Sequence, residues 1–261
     1  MNKIFAVAGI VIKELYRRKD FYVLFVLSAL LTVVAGMVNF FHDSGIVRIV
    51  KDVCMLLIWI STLVIAIVTA ARQIPAEREA RTIFPLLAKP VSRGQVIAGK
   101  FLGCWLATGI SLVVFYTFFA FITGSKEHIW PLELYFLAAW MQWFMLAIVI
   151  AMVLLGSIYF AAPSSTITIV FIVVAGILAL GSHLKTIALS QPEPMQSILS
   201  VIYFSIPHLE WYDLRDFVVY DQVMAPGFAM SVGIATVYAA VWTAFFLVLA
   251  WLGFRRKSLT T

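Results

Sequence analysis

An all-α, polytopic membrane fold is the class this chain predicts, and three observations carry it. Hydrophobic residues make up 63% of the 261 positions and charged residues 12%, against about 25% charged in an ordinary soluble domain. Mean hydropathy is +1.01. Several runs reach the ~20 apolar residues that cross ~30 Å of hydrocarbon. They are apolar on every side, as in FYVLFVLSALLTVVAGMVNFF, whereas a barrel strand alternates over ~10 residues. The expected architecture is one transmembrane domain, residues 1–261, with six spans, an N-terminal interfacial helix over 1–20 and a helical cytoplasmic connector between the second and third spans.

The elements follow in order. In the first twenty residues Ile4, Ala8, Val11, Ile12 and Leu15 share one helical face while Lys3, Lys13 and Arg17 lie off it, the pattern of a helix resting on the inner leaflet. A signal peptide is rejected, because the apolar run leads into KELYRRKD and a full span rather than a small-residue cleavage region. Spans are expected at 21–41, 53–71, 101–123, 132–155, 164–181 and 228–253. The fourth and fifth are joined by a short turn, where Pro163 is expected to end one helix and Ser164 or Ser165 to cap the next. Six spans put both termini on one side. About 14 of the 19 basic residues fall in the N-terminal arm, the connector and the tail, so the positive-inside rule places these in the cytoplasm. The net charge of +6 then reports membrane orientation, not nucleic-acid binding.

The connector, 72–100, contains EREARTIFPLLAKPVSRGQVIAGKF. Ala80, Ile83, Phe84 and Leu87 recur at helical spacing, with Glu77 four residues before Arg81. Pro85 bends or ends that first helix. Ser92 and Gln95 have the spacing of a capping box for a second helix, which runs through Lys100 into the third span. Gly94 to Lys100 fits the phosphate-loop spacing G-x-x-x-x-G-K, but Phe101 stands where Ser or Thr must ligate Mg²⁺ and no strand precedes it. The chain therefore offers a sided protrusion and no energy source of its own; it is not expected to be an enzyme.

Glu77-Arg78-Glu79-Ala80-Arg81-Thr82, then Leu86-Leu87-Ala88-Lys89-Pro90-Val91-Ser92-Arg93, then Gly99-Lys100 at a helix start, together resemble the permease subunits of the ABC type-2 transporter family. Lys13-Glu14-Leu15 with Arg17-Arg18 before the first span is similar to that family as well. Arg81 and Pro85 depart from its usual glycine and apolar residue. The resemblance implies a half-transporter of a bacterial-type inner membrane whose connector is a coupling helix docked on a separate ABC ATPase subunit. Glu77, Arg78, Glu79, Arg81, Lys89, Pro90, Val91, Ser92 and Arg93 would make that coupling. It also implies a second permease copy, most simply a homodimer, whose halves rock to open a route outward.

The segment 182–227 is read as extracytoplasmic. ILSVIYFSI is too short to cross and Pro207 stops it, so it is expected to be interfacial or re-entrant. Glu210, Trp211, Tyr212 and Asp213 are candidates for an extracytoplasmic gate. His42, His128, His183 and His208 all map to this side, but none share ligand spacing, and solvated or interface roles are expected for them. No catalytic, metal or cofactor residue is assigned. Cys54 and Cys104 sit at opposite ends of their spans, too far apart for a disulfide. Gly99 and Gly103, and more weakly Ala235 and Ala239, form small-xxx-small faces that suit either assembly or intrachain packing.

Rival classes are a secondary transporter, an intramembrane enzyme and a non-transporting membrane anchor for an ATPase-driven complex. The first wants ionisable groups near the midplane, where this chain offers Ser28, Asn39, Ser61 and Gln142 but no Asp, Glu, Lys or Arg deep in a span. The second lacks any nucleophile or H-E-x-x-H constellation. A co-purifying ATPase separates the transporter from the anchor.

Overall fold

The computed structural model of the chain describes residues 3–17, 26, 44–75, 92–127, 130–160, 162–190, 195–220 and 228–256. The expected first span, apart from Val26, and connector residues 76–91 lie outside the described residues. Every element among the described residues is helical: α1 (Lys3–Arg17), α2 (Ser44–Arg72), α3 (Arg93–Glu127), α4 (Leu132–Tyr159), α5 (Pro163–Ser190), α6 (Met195–Ser205), a 3₁₀ turn (Leu209–Tyr212), α7 (Arg215–Val219) and α8 (Phe228–Arg256).

Four of these are long and apolar enough to cross a membrane: Lys51–Arg72 of α2, Arg93–Gly124 of α3, Leu132–Tyr159 and Met230–Arg256 of α8. They coincide with the second, third, fourth and sixth expected spans. The apolar part of α5, Pro163–Ala179, is shorter. So is α6, at 11 residues, which stops two residues before Pro207. The turn between α4 and α5 differs from expectation. Phe160 caps α4, and Pro163 opens α5 instead of closing its predecessor. The first turn of a helix has no partner for its N–H groups, so a residue without one fits there. Ser164 and Ser165 consequently lie inside the helix, exposed, and cap nothing.

α4 is the centre of the bundle, with α2, α3, α5 and α8 against it. Its span is 72% buried within the chain, against 17% for α8. The cause is partly Gln142: an amide facing hydrocarbon would lose its hydrogen bonds. Inside, its Nε2 donates to Thr62 Oγ1 at 2.7 Å and its Oε1 accepts from Tyr116 OH at 3.0 Å. One side chain thus ties α2, α3 and α4 together. Two indoles lock α3 to α4 a second time. Trp105 Nε1 donates to the Trp143 carbonyl and Trp143 Nε1 to the Trp105 carbonyl, both at 3.0 Å, with the rings stacked at 4.3 Å. Gly109 is what lets Trp143 in, since a Cβ there would stand 2.6 Å from the indole nitrogen. At the periphery α8 exposes Ile234, Val237, Val241 and Val248, a stripe at helical spacing suited to lipid.

Candidate functional site

The site begins where the connector rejoins the bundle. The capping box forms: Gln95 N–H donates to Ser92 Oγ at 3.3 Å, and Ser92 N–H donates to Gln95 Oε1 at 3.0 Å. Two donors that the first helical turn leaves unmatched are thereby satisfied, and α3 starts at Arg93 and continues without a break into its span.

Arg93 then reaches across to the end of α8. Its Nη1 donates to the carbonyls of Phe254 at 2.8 Å and Arg255 at 2.9 Å, and its guanidinium lies 5.6 Å over the Phe254 ring. A cation on the last carbonyls of a helix completes that terminus and suits its dipole. A Cβ on the adjacent Gly94 would stand 3.4 Å from the Trp251 indole. Two turns further on, Lys100 is 2% exposed, and its Nζ donates to the Gln73 carbonyl at 2.7 Å, just past the last turn of α2. Beneath these clasps Ile74, Ile97, Ile158, Ala250 and Phe254 form their own apolar cluster, so the residues just past α2 meet α3, α4 and α8 in one apolar plug.

The small face of this root is occupied too. A Cβ on Gly99 would stand 2.6 Å from Val7, and one on Gly103 2.6 Å from Val11, so the two glycines are the seat of α1. Val7, Ala8 and Val11 are accordingly buried, while Phe5 and Ile10 on other sides of α1 are exposed. Of the nine expected coupling residues, Ser92 and Arg93 lie in this assembly. Glu77, Arg78, Glu79, Arg81, Lys89, Pro90 and Val91 are outside the described residues.

The four candidate gate residues come together on the 3₁₀ turn and its C-cap, Asp213, at the other end of the bundle, in different states. Tyr212 is 1% exposed and its hydroxyl donates to the Ala235 carbonyl at 2.7 Å, with burial raising its pKa; it is a fixed post of the wall. Asp213 accepts from Arg215 Nε at 2.8 Å and Nη2 at 2.6 Å, and this hydrogen bonding raises the arginine pKa. Trp211 is exposed and Glu210 half-buried. Sequence reasoning missed His208, expected at a solvated or interface position. It is buried, stacked on Tyr203 at 4.1 Å with Trp211 at 4.9 Å and Tyr238 at 6.1 Å. That burial lowers its pKa, opposed by the Glu210 carboxylate. His183 is exposed, and His42 and His128 lie outside the described residues. Among the described residues no three potential metal ligands converge. The weaker small pair, Ala235 and Ala239, is buried in the chain's own core.

The family model described as ABC-2 family transporter protein matches residues 6–259. No curated protein matches the chain.

Proposed function

The chain belongs to the ABC-2 family of transporter membrane proteins, and on that premise we propose that it is the permease half of an ATP-driven exporter. In this reading it has six spans in a bacterial-type inner membrane, with both termini and the connector in the cytoplasm. Two copies form the pathway, and a separate ABC ATPase subunit hydrolyses ATP and docks on residues 77–93. The Glu210–Asp213 turn gates the far side.

The observation that supports it best is the double clasp at the root of α3. A connector that merely closed a loop would need only its own cap. Here Arg93 fastens the connector's return to the end of α8, and Lys100 fastens it to the end of α2. A push on residues 77–91 would therefore reach a helix at the edge of the bundle and one beside its centre, through charge-assisted bonds worth about 1.5–3 kcal/mol each. Arg93 is in this reading a transmission residue more than a docking contact, while Glu79 remains a docking contact.

The test is co-expression with a candidate ATPase. Glu79→Ala is expected to lose ATPase co-purification. Arg93→Gln is expected to keep it, yet lose any ATP-dependent change in hydrogen exchange over the last turn of α8. Retained ATPase binding in Glu79→Ala, or the same nucleotide response in α8 with and without Arg93, would defeat the coupling assignment. Absence of any ATPase partner would favour a non-transporting anchor.

A further inference from the structure

A cavity of about 450 Å³ opens at the end of the bundle away from the connector, between Met141 in the first half of α4, the 3₁₀ turn, α7 and the first turns of α8. Met141, Trp211, Phe217, Phe228 and Val232 give it a mostly apolar, aromatic wall. Two carboxylates also line it, and their situations differ. Both oxygens of Asp213 are taken by Arg215, whose guanidinium also lies 5.4 Å over Trp59. Glu210 has no such partner. Its Oε1 is 3.5 Å from His208 Nδ1, beyond ordinary hydrogen-bond length, and its Oε2 is sealed from solvent with no hydrogen-bond partner. Gly181 of α5 makes this seat possible, because a Cβ there would stand 2.5 Å from Oε2.

A carboxylate oxygen that neither water nor a donor reaches is costly. Oε2 itself is closed to a ligand, but Glu210 lines the cavity and its side chain is 21% exposed, so a cation arriving there meets the same carboxylate on its open side, gains a charge-assisted bond and is attracted by nearby ring faces. We propose that this cavity binds an amphiphile carrying a single protonated amine, its ammonium on Glu210 and its apolar body against Trp211, Phe217 and Phe228. One positive charge is specified because one carboxylate is uncommitted. The volume lies in the range of about 300–1,000 Å³ typical of sites for drug-sized molecules. The inference rests on the proposed gate and names the chemistry it admits. The amine can come from an aminophospholipid headgroup or from a soluble amphiphile.

The test uses the full chain in phosphatidylcholine nanodiscs without any ATPase, so its outcome is independent of the coupling reading. 4-Phenylbutylamine and 4-phenylbutanol, which share a skeleton and differ in charge, are titrated calorimetrically with empty discs subtracted. The amine is expected to bind at least about tenfold tighter, the size of one charge-assisted bond, and Glu210→Gln to abolish the difference. Equal affinities in the unsubstituted chain would overturn the proposal without recourse to any variant, as would a preference that survives Glu210→Gln. Repeating the titration in discs containing phosphatidylethanolamine assigns the source: a weakened amine affinity points to the headgroup, an unchanged one to a soluble ligand.

Discussion

At the root of α3, Arg93 and Lys100 each end on a backbone carbonyl that a helix terminus leaves open, and Gly99 and Gly103 lie flush against α1. At the far end, hydrogen bonds also hold Tyr212 and Asp213, but Glu210 keeps an oxygen with no donor and Trp211 stays exposed beside a cavity. Both regions are polar features of a mostly apolar bundle. The difference is that the first region's bonds shown here close within the chain, which suits a part that must move as a unit. The second leaves one charge unanswered, which suits a part that meets something from outside. Buried polar groups normally find partners; Gln73 Oε1 at the root and Glu210 Oε2 at the far end both lack one, and of the two it is Glu210 that carries a charge and lines a cavity, which makes it the better pointer to a ligand.

The comparison can be broken most forcefully at the glycines. Gly103→Leu would drive a side chain into Val11 and the Ala8 carbonyl. A loss of about 3 kcal/mol or more is expected from overpacking and displacement of α1, read as a large fall in thermal midpoint in nanodiscs. Gly176→Ala in α5, where nothing lies within 4 Å, should leave the midpoint unchanged. Equal effects from the two would show that the α1 seat is not tight. Lys100→Met comes next. Leaving the Gln73 carbonyl without its donor should cost about 1–3 kcal/mol and speed hydrogen exchange at the end of α2 while sparing α5.

At the far end, Asp213→Asn should cost less, about 1 kcal/mol, because the Arg215 pair is partly exposed and partly screened. Faster proteolysis at Arg215 would be its signature, and an unaltered cleavage rate would remove Asp213 from the account of the turn. The smallest expected effect is one of pH. The folded-state pKa of His208 lies below its ordinary 6.5, so above about pH 6.5 neither state is charged and nothing is lost. As the pH falls below that, the unfolded chain takes up the proton first, and stability declines until the folded pKa is passed. Glu210, Tyr203, Trp211 and Tyr238 surround the ring. Acidification from about pH 7.5 to 5.5 should lower the thermal midpoint, and less so in His208→Gln; a midpoint that rises would contradict the burial of a neutral imidazole.

How far the sequence reached depended on the range of the interaction. The capping box of Ser92 and Gln95 is a contact over three residues, and it was legible together with the uninterrupted helix that follows. The four long apolar helices and the short helix before Pro207 were legible for the same reason: length and hydropathy are local quantities. The partners of Arg93 lie 161 and 162 residues away, so sequence offered a basic residue near a cap and no indication that α8 would receive it. Gly99 and Gly103 announced a close approach, but which helix fills it is decided by tertiary packing; α1 is the answer. Pro163 shows a different limit, since proline both ends and begins helices, and the structure chose the second. His208 escapes sequence reasoning because it stands two residues before Glu210 in a segment read as extracytoplasmic, which suggests solvent, whereas its neighbours in space are the rings of Tyr203 and Tyr238, from α6 and α8.

The reciprocal indoles of α3 and α4 have a spectroscopic consequence. Two parallel chromophores in van der Waals contact share excitation energy, so Trp105 and Trp143 form an intrinsic reporter whose ultraviolet circular dichroism depends on their separation. If α3 and α4 part during a working cycle, unlabelled protein should register it as a loss of exciton signal, and Trp143→Phe should abolish that signal without extracting either helix from the bundle.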